Sequence, residues 1–322
     1  MSDIESILHI NNKLHIKDSE AGVLLFDNDG VFIKKIAERG RGRAEYISSN
    51  AFAVNSQNKI LSIIDDNKNK LINYSIENYD YIDETPTPVI SYNMEAMGNI
   101  TVWYNDATQS QNEETDFNYI ITNKDVVVQK FSPKLITNGF ATGPEDQMYI
   151  YSDCIRAYAQ HSPYVYSIDI NGECSVKYEI KIPGIDFAPE RYLKEIASTS
   201  DYMTFYDYLS DSGYISYSRI MESDESLLYL CYIDNIAYIG IYDKTKQSAK
   251  ITKVELLKQL NGMELGYLCG TYNCDKYIFA IDPQDYKTQR TKNDCWSEKF
   301  NSQLLNANNN LSLLIIKFNL VK

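Results

Sequence analysis

The clearest pattern of apolar and polar positions lies at the start of the chain. Residues 13–17 alternate polar and apolar side chains, and residues 23–26 form a short apolar run. Asp29-Gly30 separates this run from a second one at residues 31–33. An Asp-Gly pair between apolar runs is typical of a tight hairpin, because glycine accepts positive φ without a steric penalty. The pattern predicts three adjacent antiparallel strands.

The same order of strand, acidic turn and strand recurs in weaker form along the chain. It is visible at residues 59–74 and again at residues 147–180. Further strands are predicted at residues 99–104, 119–121, 126–131, 226–233, 237–242, 277–281 and 311–318. Sheets of about four strands repeated at roughly fifty residues are typical of a β-propeller, in which each blade buries its faces against its neighbours. The period predicts one propeller domain over residues 1–322, with about six blades.

Helical signals are few, which argues against a parallel α/β fold. Pro189 and Glu190 mark the start of a helix over residues 189–196, and residues 253–260 and 297–305 have the pattern of two helical turns each. The predicted fold is therefore all-β: a six-bladed β-propeller of four-stranded antiparallel blades with a few short helical insertions. Closure of such a fold predicts that the strand at residues 311–318 lies in or beside a blade formed by the N-terminal strands.

Composition narrows the possible partners and cofactors. The net charge is -13, with acidic and basic residues mixed along the chain, which argues against binding to nucleic acid or to an anionic membrane. No apolar run approaches the roughly 20 residues that span a bilayer. The six cysteines lack the paired spacing of a zinc site and the three histidines are not close to them in sequence, so we predict no metal, no other cofactor and mostly free thiols.

Residues 23–46 resemble the signature of a bacterial family of six-bladed β-propellers related to NHL repeats and common in gut-dwelling bacteria. In that family a strand ends in Phe-Asp, and a Gly-x-Gly-Pro-Gly-Glu-Tyr turn closes one blade and opens the next. Four positions of this sequence match that turn, namely Gly40, Gly42, Glu45 and Tyr46. The resemblance is weaker through the rest of the chain.

The turn departs from the family at two positions, where Arg43 and Ala44 replace Pro and Gly. Family members usually begin with a lipoprotein or secretion signal and an extra strand, so the resemblance implies an extracytoplasmic location, in the periplasm or at the cell surface. Residues 1–17 lack the basic start and apolar middle of a signal peptide, which suggests that an export segment is absent from the sequence as given. The biochemical role of the family is unassigned.

Two motifs that resemble ligand sites favour a structural interpretation. Gly40-Arg41-Gly42 lacks the third glycine and the Lys-Ser/Thr of a phosphate loop, so we interpret it as an inter-blade turn whose glycines supply unusual φ angles. Asp27-Asn28-Asp29-Gly30 and residues 65–69 resemble fragments of calcium loops but lack the expected Gly and Glu positions. Asp and Asn side chains commonly cap turns through local hydrogen bonds, and we predict that role here.

The segment between residues 149 and 166 is more aromatic and polar than a simple hairpin requires. Loops held by rigid strands are the usual place for recognition, and Tyr with Arg supplies stacking area and directional donors. The candidate ligand-binding residues are Tyr149, Tyr151, Arg156, Tyr158 and His161. On this interpretation His161 is exposed, and replacing Arg156 and Tyr158 with Ala leaves the fold nearly intact. The alternative is that these tyrosines only pack between blades.

The sequence favours a non-catalytic function. It has no Gly-x-Ser-x-Gly elbow, and its three histidines offer no evident catalytic pairing. We therefore expect a binding or interaction module of the bacterial cell envelope, with a glycan, a peptide or a partner protein as ligand. The alternative is a metal-dependent hydrolase or lyase with its site in the central channel, which requires converging carboxylates, Asn or His. A structural role in a larger assembly is the third possibility.

Overall fold

A computed structural model describes residues 4–18, 20–49, 51–65, 67–105, 116–136, 147–254, 267–272, 275–281 and 312–316. Within these residues the strands form six sheets, in which each strand is hydrogen-bonded to its neighbour in sequence. The first sheet contains β1 (Ile4–Ile10), β2 (Lys13–Asp18), β3 (Gly22–Asp27), β4 (Phe32–Arg39) and β5 (Glu45–Tyr46). The second contains β6 (Phe52–Asn55), β7 (Ile60–Asp65), β8 (Lys70–Ser75) and β9 (Tyr81–Pro86).

The next two sheets also have four strands each. The third contains β10 (Asn93–Met97), β11 (Ile100–Tyr104), β12 (Phe117–Asn123) and β13 (Val126–Pro133). The fourth contains β14 (Met148–Tyr151), β15 (Cys154–Tyr158), β16 (Tyr164–Ile168) and β17 (Cys174–Glu179). Two helices follow, α1 (Glu190–Thr199) and α2 (Tyr202–Ser210).

The remaining strands form the fifth and sixth sheets. The fifth contains β18 (Tyr217–Glu222), β19 (Ser226–Ile233), β20 (Ile236–Asp243) and β21 (Ser248–Lys253). The sixth contains β22 (Tyr267–Tyr272), β23 (Lys276–Ile281) and β24 (Ser312–Ile316). The fold is a six-bladed β-propeller of mainly four-stranded antiparallel sheets, which confirms the predicted fold class.

The chain divides into two compact units. One unit comprises residues 1–35, 219–231 and 236–322, and the other comprises residues 36–218 and 232–235. One propeller domain over residues 1–322 stays a prediction. Of the predicted helices, the one at residue 189 is confirmed as α1, whereas most of residues 253–260 and all of 297–305 lie outside the described residues. None of the described helices is long and apolar enough to cross a lipid bilayer.

In the first unit, the N-terminal and C-terminal strands share one core. Ile7 and Ile16 pack with Cys269 and Ile278, and Leu313 of β24 packs against the same cluster. The backbone approach is close, because a Cβ added at Gly270 would lie 2.8 Å from the Ile7 carbonyl oxygen. The last described strand thus shares a sheet with β22 and β23 and a core with β1 and β2, which confirms the predicted meeting of N-terminal and C-terminal strands.

In the second unit, the helices pack as an insertion with its own apolar cluster. Leu193 and Ile196 of α1 meet Phe205 and Leu209 of α2, together with Ile136, which follows β13. Asp201 begins α2, since its side chain accepts a hydrogen bond from the Thr204 N–H at 2.8 Å. This cluster matters for the candidate site because Phe205 also contacts the turn after β15.

The turn between β4 and β5 differs from the sequence interpretation. Neither Gly40 nor Gly42 has positive φ, and Ala44 carries it instead, with φ 63°. The Glu45 carboxylate lies over both glycines, where it accepts the Gly42 N–H at 2.7 Å, and a Cβ at Gly40 would displace it. The prediction that the glycines supply unusual φ angles is wrong. What the two positions share is the close approach of the Glu45 carboxylate.

Two sequence predictions about side chains have clear outcomes. Asp27 caps the hairpin turn, since its Oδ1 accepts the N–H groups of Asp29 at 3.0 Å and Val31 at 2.8 Å. The described cysteines are free thiols: Cys154, Cys174, Cys231 and Cys269. Cys274 and Cys295 lie outside the described residues.

Candidate functional site

A tight turn joins β15 to β16 and places His161 in an uncommon backbone conformation. The Ser162 N–H donates to the Ala159 carbonyl at 3.4 Å, and His161 has φ 61°. Few residues other than glycine adopt this left-handed conformation, although His is enriched there over most others. Holding it costs roughly 1 kcal/mol, so the surrounding structure must fix the turn.

Gln160 supplies that constraint. Its Nε2 donates to the Ser218 carbonyl at 2.6 Å, and its Oε1 accepts the Ser218 N–H at 2.9 Å. Gln160 is buried, and these bonds tie the turn to the backbone of β18. The side chain of the next residue, His161, is thereby held in one place.

His161 is buried to 5% exposure, with its ring edge-to-face on Phe205 at a centroid distance of 6.5 Å. Burial lowers the pKa of His161 to about 4, partly opposed by the backbone of Ile215. The imidazole is therefore neutral at pH 7 and has one donor and one acceptor nitrogen. Within the described part of the chain, neither ring nitrogen has a hydrogen-bond partner of normal geometry.

His161 lines a cavity of about 300 Å³ in the second unit. The cavity is bordered by the facing ends of the third and fourth sheets and by Glu190 at the start of α1. Its polar wall is formed by Asn118, Ser132, Gln160, His161 and Ser162. Pro133, Leu135, Ile136 and Ala159 add apolar surface. Glu190 is the one charged side chain among the described lining residues.

Asn118 adds a second buried polar atom to this wall. Its Nδ2 donates to the Ser132 hydroxyl at 3.2 Å, whereas its Oδ1 is buried and has no partner among the described residues. Asn118 and His161 come from different sheets and line the same cavity. Buried polar groups are normally hydrogen-bonded, and each unsatisfied group of this kind calls for an explanation.

Two tyrosine rings form the aromatic part of the cavity. Tyr164 is 39% exposed, and its ring lies 6.4 Å from that of Tyr166, which packs at 5.0 Å from Phe131. Burial raises the pKa of the Tyr166 phenol, partly opposed by a hydrogen bond with Ser132. Both rings line the cavity beside the neutral His161, so the site combines aromatic surface with uncharged donors and acceptors.

The comparison of this chain with known families is decisive for its classification. Residues 1–293 match DUF5128, whose description is 6-bladed beta-propeller. The chain belongs to this family. The match covers all six described sheets except β24.

Solved structures agree with the family fold. A candidate exported protein from Bacteroides fragilis is similar with a TM-score of 0.86 and 20% identity, over 99% of this chain and 92% of that one. A DUF4221 family member from Bacteroides vulgatus has a TM-score of 0.56 and 7% identity, over 99% and 94% of the two chains. At these identities the likeness shows the fold alone. A search of curated proteins found no match to the sequence.

Within this DUF5128 propeller, Arg156 and Tyr158 lie on β15 and not on an exposed loop, which corrects the sequence interpretation. Their exposures are 4% and 1%. The Arg156 guanidinium donates to the Ser167 hydroxyl at 2.6 Å and lies over the Tyr151 ring at 5.6 Å. The Tyr158 carbonyl accepts the Tyr119 hydroxyl at 2.5 Å. Both residues therefore support the blade from its inside.

The other candidates occupy the same sheet. Tyr149 is buried on β14, opposite Arg156, and Tyr151 is half-buried at the end of that strand. Of the five residues singled out in the sequence, His161 alone is among the described residues that line the cavity. It was expected to be exposed and is instead buried, because the helices after β17 pack against its turn.

The sequence interpretation missed Asn118, Ser132 and Tyr166. Asn118 and Ser132 lie on β12 and β13, about forty and thirty residues before His161, and no local pattern links them to it. One available signal was Ser132-Pro133 at the end of a strand, where Ser132 has φ 56°. Such a non-glycine residue in the left-handed region marks a bend in the strand.

Proposed function

We propose that this propeller is a non-catalytic binding module of the bacterial cell envelope, which takes a glycan, a peptide or a partner protein at the His161 cavity. The observation that carries the proposal is the cavity itself, which combines the polar residues Asn118, Ser132 and His161 with the rings of Tyr164 and Tyr166. Ligand contact by Tyr149, Tyr151, Arg156 and Tyr158 stays a prediction, and the proposal does not depend on it.

An unsatisfied buried polar group lowers the stability of the free protein. Leaving a buried donor or acceptor without a partner costs roughly 1–3 kcal/mol. His161 and Asn118 both carry such atoms, and His161 adds a left-handed backbone conformation. Strain held at one position in this way is common at binding and active sites, which favours a binding role for the cavity over a purely structural one.

The location in the envelope rests on two weaker supports. The sequence resembles a family whose members are usually exported, and the Bacteroides fragilis relative is a candidate exported protein. Fractionation of the native organism tests this part separately. Recovery of the protein with periplasmic or surface material supports it, and recovery with the cytoplasm contradicts it.

The alternative function, a metal-dependent hydrolase or lyase, has no specific observation in its favour. Across the described ranges, no three His, Cys, Asp or Glu side chains come together as a group that could hold a metal ion. The buried histidines His15 and His161 belong to different units.

The binding proposal is tested with glycan and peptide arrays probed with the full chain. We expect array ligands that the parent protein binds and that the His161→Asn variant loses. Asn tolerates the left-handed backbone of His161, so this change removes the imidazole with little added strain. The matched control is His15→Asn, because His15 is also buried with its pKa lowered to about 4 and does not line the cavity. Equal binding by all three proteins contradicts the proposal.

A further inference from the structure

We propose that an open cleft beside the link after β17 is a docking site for a peptide segment in which apolar side chains stand close to a Lys or an Arg. The cleft has a volume of about 470 Å³ and lies in the second unit. It shares no described lining residue with the His161 cavity, so the inference concerns a second site and goes beyond the proposed function.

Backbone hydrogen bonds hold the walls of the cleft. The Ile180 N–H donates to the Pro163 carbonyl at 2.8 Å, which continues the pairing of β17 with β16. Further along the link, the Asp186 carbonyl accepts the Ile215 N–H at 3.2 Å and ties the link to the segment before β18. The cleft is therefore formed before a ligand binds, which lowers the entropic cost of binding.

Most of the lining is apolar and within reach of a ligand. Phe187 and Tyr214 supply rings, and the orientation of the Tyr214 ring is supported by Tyr192 at a centroid distance of 5.4 Å. These two residues are half-buried, and so are all the other apolar lining residues except Pro189, which is exposed. Partly exposed apolar side chains that cluster in this way are typical of interaction sites. The aliphatic and proline residues of the lining are Pro163, Ile180, Ile182, Ile185 and Pro189.

The polar groups of the cleft do not suit a hydroxyl-rich ligand. The described lining residues include no Asn, Gln, Ser, Thr or His. A glycan in the cleft would lose water from its hydroxyls and find few uncharged side-chain partners, and this desolvation is unfavourable. The lining therefore favours a ligand that brings apolar side chains.

The charges of the cleft favour a cation next to those apolar side chains. Glu179 and Lys181 form an ion pair at 2.8 Å with both side chains exposed. Asp186 is exposed and has no ion pair with a described residue, so the described lining has one uncompensated negative charge. The net charge of the chain, -13, adds a longer-range attraction for cations.

A peptide segment can supply both chemical groups from one short stretch of chain. Asp186 lies between Ile185 and Phe187 in sequence, so its carboxylate is adjacent to the apolar lining. In an extended segment, side chains two positions apart lie on the same side. An apolar residue in the cleft therefore places a Lys or Arg two positions away on the side that faces Asp186.

The test uses an array of short peptides probed with the full chain. Each peptide carries Leu, Ile, Val, Phe, Tyr or Pro two positions before a Lys, and a matched copy has Glu in place of that Lys. We expect Lys peptides that bind and Glu copies that bind at least tenfold more weakly. Isoleucine methyl NMR locates the site, with signals assigned by Ile→Val variants. The Ile182 and Ile185 signals should shift, whereas the signal of Ile136, which lines the His161 cavity, should stay in place.

Variants test the charge and the apolar surface separately. Asp186→Lys should weaken binding of the Lys peptides at least tenfold, and the control Asp207→Lys, at an exposed position of α2, should bind as the parent does. Tyr214→Ala should weaken binding severalfold, and Tyr208→Ala, at a 51% exposed position, is its control. Melting curves show that each variant is folded. If Tyr214→Ala does not fold, the exposed Asp186→Lys pair decides the question.

The outcomes separate this inference from the proposed function. A peptide that shifts the Ile136 signal and leaves Ile182 in place supports binding at the His161 cavity and overturns the second site. Glu copies that bind as tightly as Lys peptides, or an Asp186→Lys variant that binds as the parent does, also overturn it. If no peptide of the array shifts the Ile182 signal, the inference fails, and the His161 cavity is still judged by its own variants.

Discussion

The side-chain amide of Gln160 bonds both backbone polar groups of Ser218, at 2.6 Å to the carbonyl and 2.9 Å from the N–H. A side-chain amide thus takes the place of a neighbouring strand at one residue of β18. Because Gln160 directly precedes His161, this pairing fixes the position of the cavity wall as well as the turn.

Replacing Gln160 with Ala should lower the free energy of unfolding by about 3 kcal/mol, since it leaves a buried N–H and a buried carbonyl without their partner. Urea unfolding measures the change. The control is Gln247→Ala, at an exposed turn residue, which should stay within about 0.5 kcal/mol of the parent. A loss for Gln160→Ala no larger than that of the control would show that the Ser218 pairing is dispensable.

Stability should fall with acidification in a window set by the buried histidines. Burial lowers the pKa values of His15 and His161 to about 4, from 6.5. The unfolded chain therefore binds protons first, so the stability from these residues is complete above pH 6.5 and decreases as the pH falls towards 4. Between about pH 8 and pH 5 each histidine should account for roughly 2 kcal/mol.

Denaturant unfolding at several pH values checks this dependence. The two histidines together contribute to the change of unfolding free energy with pH. His161→Asn should remove about half of this contribution, and His15→Asn should remove about the other half. The control is Gln247→Ala, at an exposed turn residue that does not titrate, and this variant should keep the parent slope. An unchanged slope in His161→Asn would mean that its imidazole is solvated in the folded protein.

Arg156 should prove to be a stability residue. Its replacement with Ala removes a buried side chain, its bond to Ser167 and its position over Tyr151, and should cost about 2–4 kcal/mol. Lys177 offers a control in the same sheet, since it lies over the Tyr178 ring at 5.8 Å from an exposed position. Lys177→Ala should cost less than about 1 kcal/mol by thermal or urea unfolding. A stable Arg156→Ala protein that has lost ligand binding would instead restore the original loop hypothesis.

We predict that substitutions at Gly40 and Glu45, in the turn before β5, have coupled effects on stability. Gly40→Ala should destabilise the protein by about 1–2 kcal/mol, because the added methyl displaces the Glu45 carboxylate from the Gly42 N–H. In a Glu45→Ala background the same change should cost close to nothing. The double-mutant cycle therefore measures the coupling directly, and additive losses would contradict a clash between a Cβ at position 40 and the Glu45 carboxylate.

Much of the fold was predictable because its strands are marked locally. Asp29-Gly30 between apolar runs indicated the β3–β4 hairpin, and Pro189-Glu190 indicated α1. In contrast, α2 was missed, because the aromatic residues near Tyr206 have strand propensity and the helix depends on the Asp201 cap and on the contact of its Phe205 with α1. Tertiary packing, and not local propensity, therefore accounts for the helical conformation of α2.

The candidate site was predictable only in part, for a related reason. The sequence around His161 is polar and contains Pro163, which is typical of an exposed loop, yet the turn is covered by Phe205 from a helix about forty residues later. Arg156 and Tyr158 were misplaced because a propeller strand can be buried on both faces, so alternation does not reveal which side chains are exposed. Long-range packing determines both features, and no local pattern records it.

The close approach of Gly270 to the Ile7 carbonyl has a consequence for the order in which the chain folds during synthesis. Residues 36–218 supply nearly all of the second unit in one continuous stretch, so most contacts within that unit become available once this stretch has left the ribosome. The N-terminal sheet has to wait for β22 and β23, since its Ile7 and Ile16 are covered by residues of these strands, which lie much later in the sequence. Contacts of such long sequence separation form slowly, so the nascent protein carries an uncovered apolar sheet at least until β22 and β23 have been translated.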